Sequence, residues 1–366
     1  MKTVLDYVQN PNFPNRYISP DHLIGFIQTN LSDYATKIGE STFGDAIYVV
    51  TIGNGPINVL AWSQMHGNES NATHAFFDLL QSWSKEQSEE ILNAITLDFI
   101  VMLNPDGSRL WKRRNGHNID LNRDYNKRSS KELNIFLDFA FKKKYDYALN
   151  MHEQRTIFST DGIHPATFSF LSPSEGVDRE ITENRKKSMA VINKVRLVLE
   201  DHIPNHLARY TDEFYPNSIG DNFMKAGIPN ILFEGGHYED DYKRTETRKY
   251  YTIALYESLK AIAELKNSTE GWEGYLELPE NKETHYDVIY RNVKMDKNAE
   301  RLVDIAIQYR EVKRENESEI DFVSYVAEIG DLTRKKGWKE VEASEKTFIC
   351  EDGCPNFEGI QNFEII

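Results

Sequence analysis

Only two cysteines, Cys350 and Cys354, occur in the 366 residues, so no disulfide framework holds this fold, in keeping with a reducing compartment. Their Cys-x3-Cys spacing reads most simply as two inert thiols, with half a metal knuckle or a tight disulfide as alternatives. No apolar run approaches the roughly 18 residues of a membrane span, and Met1-Lys2-Thr3-Val4-Leu5-Asp6 lacks the basic-then-apolar layout of a secretion signal. A cytoplasmic protein with no membrane partner is expected. Positive charge is also scarce: 43 Lys and Arg against 58 Asp and Glu leave a net charge of −15, which repels nucleic acid at long range. A small substrate is expected instead. HExxH, GxSxG and a complete phosphate-binding loop are missing too, and with them support for thermolysin-like, serine-hydrolase and nucleotide-dependent chemistry. Internal repeats and low-complexity tracts are absent.

What is present suits one large α/β domain with a smaller companion: 28% of residues are charged and 40% hydrophobic. The chain is organised around Ser63-Gln64-Met65-His66-Gly67-Asn68-Glu69-Ser70, which follows the apolar run Ile57 to Trp62. A His and a Glu three residues apart just past a strand can turn an imidazole nitrogen and a carboxylate oxygen toward one cation. Taken alone, HxxE is common by chance. The rest of the chain gives it weight.

Ser19-Pro20-Asp21 reads as a helix start before Leu23, Ile24, Phe26 and Ile27. Asn54-Gly55, between the apolar runs Ala46 to Ile52 and Ile57 to Trp62, predicts a hairpin. Ala72, Ala75, Phe76, Leu79, Leu80 and Trp83 recur at helical spacing, so the His66 turn is expected between a strand and a helix. Thr96 to Leu103 reads as a buried strand stopped by a tight Asn104-Pro105-Asp106-Gly107 turn. Ser129 with Glu132 reads as a capping box. Further strands are expected at Tyr145 to Met151, ending on His152, around Ala166 to Leu171, and at Asn230 to Phe233, running into Glu234-Gly235-Gly236. Helices are expected at about 179–200 and 245–265. Such alternation favours a mostly parallel sheet with helices on both faces, whose sites form beyond the carboxyl ends of strands. From about Gly271 the runs become shorter and β-like, so residues 1–270 are expected to form the main domain and 271–366 a small β-rich accessory domain.

His66, Glu69 and His152 would give zinc three protein ligands and leave a position open for water, whose pKa the metal lowers to about 7. Glu234, at a strand end and followed by two glycines that let the backbone turn sharply, is the candidate general base. Hydrolysing an amide builds negative charge on the carbonyl oxygen; Arg113, preferred over Arg114, is the candidate donor to it. Asn122 with Arg123 can hold a carboxylate in bidentate fashion. A basic loop contacting phosphate is the competing reading of this segment. His202 and His206 have i, i+4 spacing, but Pro204 between them breaks the helix that would pair them.

Five motifs in this order, His66-Gly67-Asn68-Glu69, Asn104-Pro105-Asp106-Gly107, Arg113 before Asp120-Leu121-Asn122-Arg123, His152, and Phe233-Glu234, resemble those of the zinc carboxypeptidase A family over about residues 15 to 265. The resemblance implies a mixed, mostly parallel twisted sheet flanked by helices and a zinc-dependent metallocarboxypeptidase with one Zn²⁺ per chain. It assigns His66, Glu69 and His152 to the metal, Arg113 to the scissile carbonyl, Asn122 and Arg123 to the terminal carboxylate, and Glu234 to proton transfer. Family members often carry a mobile Tyr before the base, for which Tyr215 is the nearest candidate. Many digestive members have an Arg between the zinc His and Glu where this chain has Asn68, which leans toward small or modified substrates. Asp221 should lie near the side-chain pocket, either favouring a basic terminal residue or standing solvated or as a helix cap. The substrate expected is a peptide or acyl-amino acid with a free carboxylate. A zinc amidase or deacylase acting on cell-wall peptides or N-acyl amino acids stands as the alternative, and a non-catalytic peptide-binding module as a third reading. A homo-oligomer stays open.

Overall fold

A computed structural model of the chain describes residues 5–314, 318–350 and 363–365. Cys354 and the Cys350 side chain lie outside the described residues, and with them the Cys-x3-Cys spacing. An eight-stranded sheet, order β1-β2-β4-β3-β5-β8-β6-β7, forms the body. Its strands are β1 (Ala35–Glu40), β2 (Ala46–Gly53), β3 (Ile57–Trp62), β4 (Ile95–Ile100), β5 (Tyr147–Glu153), β6 (Phe168–Leu171), β7 (Leu207–Arg209) and β8 (Asn230–Gly235). The central run β4-β3-β5-β8 is parallel, while β1 with β2, β2 with β4, and β6 with β8 are antiparallel. The sheet is therefore mixed and mostly parallel, with helices α1 (Pro20–Asn30), α2 (Asn71–Ser82), α3 (Lys85–Leu92), α4 (Pro105–Arg109), α5 (Lys131–Ala140), α6 (Glu183–His202), α7 (Ile219–Lys225) and α8 (Thr245–Leu265) around it. No helix among the described residues is long and apolar enough to cross a membrane.

Side-chain alternation explains why both faces need cover. Val59 and Ala61 of β3 enter one apolar cluster with α2, α6 and α8, whereas Leu60 and Trp62 enter the other with α5 and α7. A strand apolar on both sides is stable only under two layers of helix. Strand β3 is therefore central, and its carboxyl end is where the His66 loop begins.

The expected hairpin at Asn54-Gly55 does not form. Strand β4 lies between β2 and β3, because the turn crosses the start of β4: Asn54 N donates to Leu92 O at 3.0 Å and Gly55 N to Ile95 O at 3.1 Å. Those donors are then spent on the 92–95 segment rather than on a neighbouring strand. A Cβ on Gly55 would sit 2.1 Å from the Ala94 carbonyl carbon, so close approach rather than a hairpin turn explains the glycine. The expected capping box also fails by one residue. Ser130 is the N-cap of α5, Ser129 Oγ donates to Asp124 Oδ1 at 2.5 Å, and Glu132 accepts from Asn115 Nδ2 and Thr42 N instead.

Beyond α8 a second sheet, order β11-β10-β9-β12, is built from β9 (His285–Val293), β10 (Val303–Lys313), β11 (Ile320–Gly330) and β12 (Lys336–Glu342). A short pair, β13 (Phe348–Cys350) with β14 (Phe363–Ile365), follows. The second sheet has its own apolar cluster, including Val288, Ile305, Ile307 and Val326. It meets the body through Tyr242, whose hydroxyl donates to Asp287 Oδ1 at 2.7 Å, and through Glu311 of β10.

Candidate active site

Three neighbouring parallel strands, β3, β5 and β8, deliver the key side chains to one place. His66 and Glu69 lie in the loop after β3, while His152 of β5 and Glu234 of β8 face each other in register across adjacent strands. The loop is held from outside. Asn104, at the start of α4, donates from its amide to Met65 O at 3.2 Å and to Arg113 O at 3.3 Å, and Gly67 N donates to Arg113 O at 3.3 Å. A Cβ on Gly67 would fall 2.0 Å from the Gly107 carbonyl carbon. The Asn104-Pro105-Asp106-Gly107 motif is thus less a stop after β4 than a brace, turned as one helical turn, that fixes the metal loop against Arg113.

His66, Glu69 and His152 are buried, and their ligand atoms lie within 4.8 Å of one another. His66 Nδ1 is 2.9 Å from Glu69 Oε1, His152 Nδ1 is 2.9 Å from Glu69 Oε2, and the two Nδ1 atoms are 3.1 Å apart. Donors roughly 2.0–2.1 Å from a tetrahedral zinc would stand about 3.3 Å apart, close to this spacing. Two imidazole nitrogens aimed at each other cannot both carry a proton between them, so the set has more lone pairs than hydrogens. A cation satisfies it.

Electrostatics agree with that assignment. Burial pushes the Glu69 carboxyl up, but the His66 and His152 imidazoles outweigh it and hold the group well below its ordinary range. Burial pushes the His152 imidazole down, toward the neutral form a metal needs. His66 Nε2 lies 3.2 Å from Asp120 Oδ1, while Arg113 Nε donates to Asp120 Oδ2 at 2.9 Å. Asp120 therefore orients a ligand and a cation with one carboxylate.

A cavity of about 270 Å³ opens beside the triad, lined by His66, Arg113, Asn122, Arg123, His152, Tyr215 and Glu234 among others. Seven of the expected site residues thus share one cavity wall, and Glu69 sits just behind it through its contacts to both imidazoles. Burial and the Glu69 charge raise the Glu234 carboxyl well above its usual range, against the pull of Arg113. A bound dication acts in the opposite sense. Among the described residues no group hydrogen-bonds the Glu234 carboxylate. The glycines after it have a different role from the one expected. Neither adopts a left-handed φ; a Cβ on Gly236 would sit 2.2 Å from Ala166 O, so Gly236 admits a neighbouring backbone, while Gly235 packs against the Tyr251 ring.

Asn122 Oδ1 accepts from Ile219 N at 3.0 Å, tying the Asn122-Arg123 segment to α7. Arg123 Nη1 donates to Asn122 O at 2.7 Å, and its guanidinium lies 5.7 Å from the Tyr215 ring centroid. Tyr215 is 46% exposed at the rim. Asp221 lines the cavity but is engaged in the first turn of α7, whose N-cap is Ser218: its carboxylate accepts from Ser218 Oγ and from Tyr215 N at 3.1 Å. His202 ends α6 and His206 contacts Thr167 Oγ1 at 3.0 Å, away from the triad.

Three cavity or support residues carry no assignment from sequence reasoning. Asp120 belongs to the Asp120-Leu121-Asn122-Arg123 motif, which is the sequence signal for its carboxylate between His66 and Arg113. Asn150 lines the cavity two residues before His152, on the same face of β5, and its Oδ1 is buried with no partner among the described residues; strand period alone points to it. Tyr210 follows β7, which is only three residues long and leaves no readable pattern.

Parallel strands presenting two imidazoles and a carboxylate, beside an unengaged acid and a row of guanidinium groups, make the architecture of a metal-dependent hydrolase. Residues 26–159, which include His66, Glu69, Arg113, Asn122, Arg123 and His152, match a family model described as zinc carboxypeptidase. The fold is similar to that of a metallo-carboxypeptidase from Burkholderia cenocepacia, at 14% identity and a TM-score of 0.55, over 67% of this chain and 69% of that one. A metallo-carboxypeptidase from Pseudomonas aeruginosa in complex with (2-guanidinoethylmercapto)succinic acid aligns at 15% identity and TM-score 0.53, over 69% and 70%. Bovine thrombin-activatable fibrinolysis inhibitor, in complex with tick carboxypeptidase inhibitor, aligns at 15% and 0.55, over 68% and 98%. Identities this low establish the fold. A comparison with curated proteins finds no match. The resemblance to zinc carboxypeptidases holds over residues 26–159, and that match with the buried His-Glu-His set marks a zinc-dependent hydrolase.

Proposed function

We propose that this hydrolase is a metallocarboxypeptidase that cleaves the amide bond next to a free C-terminal carboxylate in small peptides. The observation that carries this is the shared cavity, in which Arg113, Asn122 and Arg123 face the same space as His66, His152 and Glu234. A carboxypeptidase needs a carboxylate clamp one residue away from its proton-transfer group. His66, Glu69 and His152 would hold zinc, which when bound acidifies water and polarises a carbonyl oxygen. Arg123, with the Asn122 amide, grips the terminal carboxylate and sets the scissile carbonyl by the metal centre. The Arg113 guanidinium, kept in place by Asp120, donates to the oxygen as it gains charge. Glu234 accepts the proton of the attacking water and delivers it to the departing nitrogen as the C–N bond breaks, giving a carboxylate and an amine.

An amidase or deacylase acting on cell-wall peptides or N-acyl amino acids is the second reading. It is favoured by one feature: Asn68 offers no charge between the metal ligands, and its backbone oxygen is taken by Arg155 Nη1 at 3.0 Å. Turnover of blocked dipeptides, acyl-amino acids and muropeptides, with and without a chelator, separates the two. Cleavage of blocked dipeptides that stops when the terminal carboxylate is amidated supports the carboxypeptidase; turnover indifferent to amidation overturns it. A location in the cytoplasm and a boundary near residue 270 belong to the same proposal, the latter supported by the separate sheet beyond α8.

A further inference from the structure

Glu311 belongs to β10, in the sheet outside the body, yet its side chain is 7% exposed and sits among groups that lead to the metal loop. Its Oε2 accepts from Trp111 Nε1 at 2.9 Å and pairs with Arg155 Nη2 at 2.9 Å, while Oε1 pairs with Arg16 at 3.2 Å. Each partner continues inward. Arg155 Nη1 donates to the backbone oxygen of Asn68, between His66 and Glu69. Arg16 Nη2 donates to Glu153 Oε2 at 2.8 Å, and Glu153 is next to His152, with its own N–H 3.2 Å from Glu69 Oε2. Trp111 stands two residues before Arg113.

We infer that Glu311 is a positioning residue for the metal site, a carboxylate lent by the accessory sheet that holds Arg16 and Arg155 against the loop and the strand end bearing the ligands. The physical reason is charge balance. Two guanidinium groups packed side by side repel, and only an anion between them keeps both aimed inward. A buried carboxylate that accepts from three donors also has little freedom, so the loop and the strand end inherit its rigidity. The accessory sheet then completes the site instead of merely decorating the body. Groups that orient metal ligands usually change metal affinity about 10–100-fold when lost.

This inference rests on the proposed zinc site, and its test separates the two. Zinc affinity is measured by chelator competition on the full chain, below the melting temperature of each variant, for the unaltered protein and for Glu311→Ala, Glu311→Gln, Arg155→Ala and Ile305→Ala. Ile305 is fully buried in the accessory sheet and reports loss of sheet stability alone. Expected are about a tenfold or greater loss of zinc affinity for Glu311→Ala and Arg155→Ala, a smaller loss for Glu311→Gln, and a lower Tm without an affinity change for Ile305→Ala. Wild-type zinc affinity in folded Glu311→Ala and Arg155→Ala overturns the inference, as does an equal loss in Ile305→Ala. Should Glu311→Ala fail to fold, Glu311→Gln and Arg155→Ala decide the matter by the same criteria. An unaltered chain that binds no zinc overturns the proposed function first, and this inference with it.

Discussion

Two clusters of buried charge use the same kinds of side chain and treat them in opposite ways. At Arg248 and Asp78 both oxygens of the carboxylate are engaged, accepting from the guanidinium at 2.5 Å twice and also from Asn10 N and Tyr7 Oη, while Arg248 Nη1 donates to Phe13 O. Around Glu234 and His152, by contrast, neither the acid nor His152 Nε2 has a hydrogen bond among the described residues, and a cavity opens alongside. Saturated charge fixes the fold; unsaturated charge beside empty volume awaits a ligand. The Glu311 cluster stands between the two, saturated in itself but reaching toward the second.

The comparison is broken most sharply by removing a ligand. His152→Ala is expected to lose stoichiometric zinc and all turnover while keeping the far-UV spectrum of the fold, and metal analysis of the purified variant checks it. Next comes Glu234→Gln, expected to retain zinc but lower kcat on the order of 10²–10⁴-fold; retained activity removes Glu234 as the proton-transfer group. Arg113→Gln should cost about 2.7–4 kcal/mol in the barrier, read in kcat more than in KM. The saturated pair should behave conversely. Arg248→Met leaves Asp78 buried without its cation, so a stability loss of about 3–5 kcal/mol is expected in denaturant unfolding, with kcat unchanged.

The smallest effect concerns acid. Burial pushes the Glu311 carboxyl up, but Arg155, Arg16 and Arg244 outweigh it and hold the group well below the usual carboxylate range. Its folded pKa is thus lower than its unfolded value of about 4.3, and the unfolded chain takes up the proton first. The stability this group contributes is fully present above that value and is lost as pH falls below it toward the folded value. Glu311→Gln should therefore flatten the acid limb of a Tm-against-pH curve between about pH 4 and the onset of acid unfolding; an unchanged limb would show that other carboxylates dominate it.

Residues whose meaning depends on near neighbours in sequence were legible in advance. The helical spacing from Ala72 to Trp83 and the apolar runs of β3, β5 and β8 declared their structures, and three strand ends declared where chemistry could gather. Residues whose partners lie far along the chain were not. Asn54-Gly55 has the local form of a hairpin, but β3 pairs along its edges with β4 and β5, at the sheet centre where helices cover both its faces, and that placement overrides the turn. Strand β1 was invisible because none of its residues is buried and half of them are polar, and β7 because three residues carry no period.

By itself, then, the order of His66, Glu69, Arg113, Asn122, Arg123, His152 and Glu234 determined the chemistry this chain can host, since imidazole, carboxylate and guanidinium bring their properties with them. Tertiary structure alone decided that Asp120 bonds both His66 and Arg113, that Asp221 is held by Ser218 and Tyr215, and that Glu311 reaches Arg16 across 295 positions. Periodicity reports which face of an element is buried. It cannot report which distant charge will be waiting there, because that depends on how whole sheets pack.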